Sequence, residues 1–139
     1  MKLKISTPAQ VVYQGDIAKI SLPTESGMLT VSAGHVPMVA SVKPGIITIR
    51  PVEYIQPSQE FFISTSKGMA FVDGKIVRIV SAEATINPQE SSEVLDKIRN
   101  DLEKKIKQLK NEGSIEEIEK TMIKLEKVNA DIKLKKMNN

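Results

Sequence analysis

The chain has 139 residues, a length that suits one domain or one small domain with an appended segment. Its 20 basic and 17 acidic residues nearly balance, whereas a nucleic-acid-binding protein needs clustered positive charge. Because the chain has no cysteine and a single histidine, we expect no disulfide, no metal site and no catalytic centre.

Residues 1–86 predict a β domain. Short segments alternate between apolar and polar residues, and such alternation is typical of strands with one face packed inward. In residues 17–22 the alternation predicts that Ala18, Ile20 and Leu22 point to the interior. Further strands are predicted at residues 2–6, 46–50, 60–64 and 69–72. Several short strands of this kind favour a sandwich or a flattened barrel.

Two connections between these strands carry clear signals. The Asp73-Gly74 pair between two apolar runs predicts a hairpin with a type I′ turn, whose two central residues need positive φ. Residues 32–37, which contain Gly34, His35 and Pro37, predict an exposed loop. The His35 imidazole either bonds to nearby backbone or contacts a partner directly.

From residue 87 onward the period of the apolar residues changes to that of an α-helix. Asn87 with Pro88 can cap the first helix, or Ser91 or Ser92 can cap a slightly later start. Two apolar seams then follow. The first consists of Leu95, Ile98, Leu102, Ile106 and Leu109, and the second of Ile115, Ile118, Met122, Leu125, Val128 and Ile132.

The break between the seams predicts two helices. Gly113 is expected to end the first in a left-handed conformation, and Ser114 to open the second with a capping box. Narrow seams of this kind favour an antiparallel hairpin. Because each seam is small, we expect the hairpin to be less stable than the β domain and to leave it about a hinge in residues 85–92.

The chain resembles the epsilon subunit family of bacterial F-type ATP synthases over essentially its whole length. The resemblance is carried, in order, by residues 27–49, the Asp73-Gly74 hairpin, residues 81–84 and the helical pair. It implies an α+β fold, with an N-terminal β-sandwich of about ten strands (residues 1–86) and a C-terminal antiparallel α-helical hairpin (residues 87–139).

The resemblance also implies a function. The family member is a non-catalytic rotor subunit of the central stalk in a proton-translocating enzyme, where it couples the gamma subunit to the c-ring. Its helices restrain ATP hydrolysis when they extend toward the alpha/beta catalytic head. We therefore expect a peripheral protein on the cytoplasmic face of the bacterial inner membrane, with membrane contact only through the c-ring and no nucleic-acid partner. No segment approaches the roughly 20 apolar residues of a spanning helix.

Position by position, the resemblance assigns residues 25–37 to a loop that faces the c-ring. The residues concerned are Met28, Ser32, His35 and Pro37. Some family members have an acidic residue where this chain has Met28, and a proline where it has Ala33. Met28 therefore either packs on an apolar spot of the ring or fills the interior of the loop.

The resemblance also suggests ATP as a regulatory ligand of the folded hairpin. Residues 95–100 match the family motif except that Asn100 replaces alanine. Leu95, Asp96 and Arg99 are the site residues it implies, with Arg99 toward phosphate and Asp96 toward a sugar or adenine donor. Alternatively, Asp96 and Arg99 form an ordinary ion pair, since residues three apart share a helix face.

The resemblance further implies that lysines on the last helix meet acidic segments of the catalytic head when the hairpin is extended; alternatively, they form a solvated face. They are Lys120, Lys124, Lys127, Lys133, Lys135 and Lys136. A different class of protein remains as a second reading: a stand-alone ligand-binding β domain with a coiled-coil dimerisation arm. The two readings differ in the apolar seam, which is intramolecular in the first and intermolecular in the second.

Overall fold

The computed structural model describes residues 1–52 and 60–137, in which nine strands precede two helices. The strands are β1 (Lys2–Ser6), β2 (Val11–Thr24), β3 (Gly27–Ser32), β4 (Met38–Val42), β5 (Gly45–Pro51), β6 (Phe61–Thr65), β7 (Gly68–Val72), β8 (Ile76–Ser81) and β9 (Ala84–Thr85). The helices are α1 (Ser92–Glu112) and α2 (Ile115–Met137). The predicted α+β architecture, a β domain followed by a helical hairpin, is confirmed.

Strand β2 holds the sheet together, because its 14 residues pair with β1, β3, β4 and β5. Strand β1 also pairs in parallel with β8, which leads through β7 and β4 back to β2. On its other side β2 continues through β5 and β6 to β9. The sheet therefore folds over an apolar interior, and every described member of that core comes from a strand.

A bulge in β2 breaks the alternation expected over residues 17–22. Ile17 and Ile20 are both buried, whereas Ala18 is exposed. The pairing with β5 shifts register between Ile17 and Lys19, so one extra residue is accommodated there. The prediction was right for Ile20 and Leu22 but wrong for Ala18, because a single inserted residue moves its neighbours to the opposite face.

The β7–β8 hairpin is confirmed, but its turn is not type I′. The Asp73 N–H donates to the Ile76 carbonyl at 3.2 Å, so Gly74 and Lys75 are the central residues. Gly74 has a φ of +91°, while no non-glycine residue in the described ranges has a positive φ. Glycine at the first central position is typical of a type II′ turn. The Asp73 carboxylate accepts hydrogen bonds from the N–H groups of Lys75 and Ile76 at 2.9 and 2.8 Å.

The ends of the helices follow two of the three expected signals. The Ser91 hydroxyl accepts the Val94 N–H at 3.2 Å, so α1 begins at the later of the two predicted sites. The Ser114 hydroxyl accepts the Glu117 N–H at 3.2 Å, as expected. Gly113, however, has a φ of −97°, so the left-handed ending was wrong. A side chain there would be crowded, because a Cβ would lie 2.9 Å from Leu109 Cβ and 3.0 Å from the Leu109 carbonyl oxygen.

The hairpin folds back on the sandwich, with α2 packed against α1 and against β5 and β6. Two predicted seam residues, Ile115 and Met122, are exposed. The residues of α2 that are buried lie on another face, namely Thr121, Lys127, Ala130 and Leu134. Helix α1 packs against α2 within the chain, which is the arrangement that the first hypothesis predicts. Within the described residues, neither helix has the length and hydropathy needed to cross a membrane.

Candidate functional site

The outer side of β4, β7 and β8 carries apolar residues, although an antiparallel sheet ordinarily presents polar ones to water. Val39 pairs with Phe71 and Met69 pairs with Val80, so their side chains form one continuous surface. Val39 is 60% exposed and Phe71 is 37% exposed. We call Val39, Met69, Phe71, Ile76 and Val80 the apolar face; α2 packs elsewhere, on β5 and β6.

Positive charges lie on the β8 side of the apolar face, where Arg78 sits between Ile76 and Val80 and Lys4 lies beyond it on β1. Lys4 pairs with Arg78 across β1 and β8, and both side chains point outward. The Arg78 guanidinium carbon lies 5.8 Å from the centre of the Phe71 ring, close enough for a cation–π interaction. The surface thus combines exposed apolar area with a basic edge, a combination that suits a protein partner with an acidic rim.

A groove of about 340 Å³ crosses one end of the apolar face. Its walls include Pro37, Val39 and Phe71, with Asp73 and Arg78 at the margin. Hydrogen bonds from the backbone N–H groups of Lys75 and Ile76 are the main cause that lowers the pKa of Asp73. The groove therefore offers an apolar floor with one anion and one cation beside it.

Residues 25–37, expected as one ring-facing loop, form a turn, the strand β3 and a second loop. Met28 lies near the start of β3 and Ser32 at its end, which separates them by roughly 14 Å. Met28 is 64% exposed, so the expectation that it fills the loop interior was wrong. Met28 and Ser32 both point to the exposed side of β3, and His35 and Pro37 follow in the second loop, so the contact of these four residues with the c-ring stays a prediction.

The second loop, residues 32–37, is fastened to the β7–β8 turn. The Gly34 N–H donates to the Gly74 carbonyl at 3.0 Å. His35 Nδ1 lies 2.8 Å from the Val36 carbonyl oxygen, and because a carbonyl only accepts, Nδ1 carries the proton. The expected bond from the imidazole to nearby backbone is confirmed. Pro37 lines the groove, so this loop adjoins the apolar face.

The predicted nucleotide residues are divided by the fold. Leu95 is buried and lines a cleft of about 490 Å³ between the hairpin and the sandwich. Asp96 and Arg99 are outside the described lining of that cleft and form an ion pair with each other at 3.5 Å. The ion-pair alternative is therefore confirmed for this folded state, while nucleotide binding stays a prediction.

The six lysines of α2 do not form one solvated stripe. Lys120, Lys124, Lys133 and Lys136 are exposed, and the Lys135 ammonium donates to the Glu90 carbonyl. Lys127 instead faces the sandwich, where its side chain is 6% exposed and pairs with Asp131 at 2.8 Å. Sequence reasoning missed this buried pair. Its only signal was the i, i+4 spacing, which does not say which face is covered.

The described residues contain no group of three or more His, Asp or Glu side chains that is arranged to hold a metal ion.

Comparison with known proteins identifies the family. The family described as "ATP synthase, Delta/Epsilon chain, beta-sandwich domain" matches residues 1–87. The ATP synthase epsilon chain of Bacillus pumilus is 34% identical over 108 residues, covering 78% of this chain and 72% of its own. The epsilon chain of Prochlorococcus marinus is 32% identical over 108 residues, with 75% and 77% covered.

Among solved structures, a chain of the Euglena gracilis mitochondrial ATP synthase (OSCP/F1/c-ring) has a similar fold. It aligns with a TM-score of 0.72 and 22% identity, covering 92% of this chain and 76% of that one. At this identity the structural similarity supports the fold alone, and the family assignment rests on the family match and the epsilon-chain relatives. The chain therefore belongs to the delta/epsilon chain family of ATP synthase, as its sequence resemblance predicted.

Proposed function

We propose that this chain is a non-catalytic rotor subunit of the central stalk in a proton-translocating F-type ATP synthase. In this role it couples the gamma subunit to the c-ring and restrains ATP hydrolysis through its helices. It lies on the cytoplasmic face of the bacterial inner membrane and reaches the membrane only through the c-ring. The single observation that carries the proposal is the apolar face, which remains uncovered while the hairpin packs on other strands.

The apolar face docks the gamma subunit. Exposed large side chains on three adjacent strands are unusual on a surface that meets only water, and they mark a protein interface. Lys4 and Arg78 add a basic edge, which suits acidic residues on the partner. The loop at residues 32–37 adjoins this face and extends it toward gamma.

The c-ring lies at the opposite end of β3, where Met28 is exposed. A stiff sheet between the two ends lets the sandwich transmit torque without bending, because its backbone groups are paired on both sides of β2. Met28, with no charge, suits an apolar spot on the ring. The ring contacts expected for Ser32, His35 and Pro37 stay predictions, since these residues lie at the other end of β3 and in the loop that follows it.

The helices carry the regulation. Four exposed lysines of α2 are available to acidic segments of the catalytic head in an extended hairpin, and extension would also release Lys127. ATP enters as a ligand of the folded state in the cleft lined by Leu95, Lys120 and Lys124. Arg99 lies outside the described lining of this cleft, so it must leave Asp96 to reach a phosphate there; the cost is small, because exposed ion pairs contribute only about 0–1 kcal/mol.

Co-elution with the gamma subunit in size-exclusion chromatography tests the docking face. We expect Val39→Asp to weaken binding by about thirtyfold or more, because a charge would be buried within the interface. Met28→Asp is the matched control, since Met28 is about as exposed as Val39 but lies on β3, outside the apolar face. Undiminished co-elution of the Val39→Asp variant would overturn the assignment of this face.

ATPase assays of the reassembled enzyme, with and without residues 88–139, test the restraint on hydrolysis.

A further inference from the structure

A charged pair is buried where α2 meets the sandwich. Lys127 Nζ lies 2.8 Å from Asp131 Oδ1 and 2.9 Å from Oδ2, so the carboxylate is bound through both oxygens. The two side chains are 6% and 13% exposed, which is rare for lysine and aspartate on a short two-helix hairpin. Neither residue has a role in the core or in the apolar seam.

Two hydroxyl groups of the sandwich form hydrogen bonds with this pair. Asp131 accepts a hydrogen bond from the Ser64 hydroxyl on β6, and Lys127 donates to Thr85 Oγ1 on β9 at 3.1 Å. Ser64 and Thr85 are register partners, so the hydroxyls sit side by side at the edge of the sheet. In the described residues no buried side-chain nitrogen or oxygen lacks a hydrogen-bond partner.

The buried pair contributes little to the strength with which α2 binds the sandwich. Its main effect is to favour one position of α2 along the sandwich over the others. Both charges belong to one helix and stay paired when the helix leaves, and the hydroxyls are then solvated. Burial of Leu134 and Ala130 supplies the attraction. If α2 shifted by one turn, about 5.4 Å, the two charges would be buried away from Ser64 and Thr85.

We propose that Lys127 and Asp131 are a registry device, which lets the hairpin seat on the sandwich at one position only and yet leave it reversibly. Lys127 and Asp131 are positioning residues, and Ser64 and Thr85 form their socket. The inference deepens the proposed regulation, but it concerns the docked state of the isolated full chain and is tested there.

Single and double substitutions distinguish an effect on the position of α2 on the sandwich from an effect on the strength of its docking. Asp131→Ala leaves the Lys127 ammonium without its carboxylate, so we expect α2 amide exchange to quicken by about a hundredfold or more. In the double variant Lys127→Met with Asp131→Leu, both charges are replaced by apolar groups, and α2 should keep its amide protection. The matched control is Lys120→Met with Glu116→Leu, an exposed pair 3.6 Å apart on the same helix, which should change nothing.

Register is read from the distance between spin labels attached to cysteines at positions 67 and 136; the chain has no other cysteine. We expect one narrow distance in the parent chain and a broadened or multiple distribution in the double variant. A narrow distance in the double variant would overturn the proposal, as would loss of its α2 protection or full protection in Asp131→Ala. The β-strand amides serve as an internal check that each variant folds. Hydrolysis assays test the proposed function separately, so either idea can fail without the other.

Discussion

At the residue scale, Gly68 is fixed by the closeness of two strands. It opens β7 and pairs with Ser81 on β8 and with Val42 on β4. A Cβ at this position would lie 2.2 Å from the Val80 carbonyl oxygen and 2.9 Å from Ser81 Cα. Both are backbone atoms in a paired strand, so they cannot yield as the end of a flexible side chain can.

We expect Gly68→Ala to lower the free energy of unfolding by about 1–3 kcal/mol or more, because the added methyl group must separate β7 from β8. Urea denaturation measures the change. Gly15→Ala is the control: its Cβ would meet the Tyr13 phenol at 3.1 Å, and that side chain can rotate away. Equal losses in the two variants would contradict the steric argument.

Asp73 gives the β7–β8 turn a pH dependence. Its pKa is lowered from the ordinary value of 3.8, mainly because its carboxylate accepts hydrogen bonds from the backbone N–H groups of Lys75 and Ile76. A lowered pKa in the folded state means that the stabilisation is present above the unfolded pKa and is lost as the pH falls through the folded one.

We therefore expect Asp73→Asn to be less stable than the parent chain at pH 7, and the difference to shrink as the pH falls below about 3.8. Asparagine keeps an oxygen acceptor and removes only the charge. Thermal unfolding at several pH values measures both chains under identical conditions. A constant difference down to pH 2 would show that the carboxylate charge is unimportant for the turn.

At the scale of elements, period and end signals were sufficient for most of the chain. Strand β1 and both helices begin within a residue or two of one of the expected positions, because alternation and caps are local properties. The docking face of α2 was missed. Thr121, Lys127 and Ala130 are small or polar, so their burial is set by the sheet beneath and leaves no apolar stripe in the sequence.

Leu134 anchors α2 to the rest of the molecule, since its side chain is fully buried on that missed face. We expect Leu134→Ala to raise amide exchange in the helices while the β-strand amides stay protected. A buried leucine-to-alanine change ordinarily costs about 2–5 kcal/mol, but here the loss cannot exceed the free energy of docking. Met122→Ala, at an exposed position of the same helix, is the control. Faster exchange in the strands as well would mean that hairpin and sandwich unfold together.

At the scale of the whole molecule, the sequence did contain a signal for the apolar face, but a search for alternating apolar and polar residues does not detect it. Residues 76–80 are apolar at four of five positions, Arg78 being the exception, and such a run is typical of a strand covered on both faces. In this chain only the inner face is covered. The run therefore indicates a partner. Where that partner binds could not be predicted from the sequence, because the apolar face is formed only when strand pairing brings Val39 beside Phe71 and Met69 beside Val80.

Removal of residues 88–139 tests whether the sandwich is an independent unit. Every described core residue comes from a strand, so the deletion removes no part of that core. It uncovers Ser64 and Thr85, whose hydroxyls water can satisfy. We expect residues 1–87 to unfold cooperatively, with a midpoint within about 8 °C of the full chain, which corresponds to roughly 1 kcal/mol for a domain of this size. In the full chain, circular dichroism should then detect helix loss before strand loss. A truncated chain that is unfolded at 25 °C would show that the helices are part of the fold and cannot act as a detachable regulator.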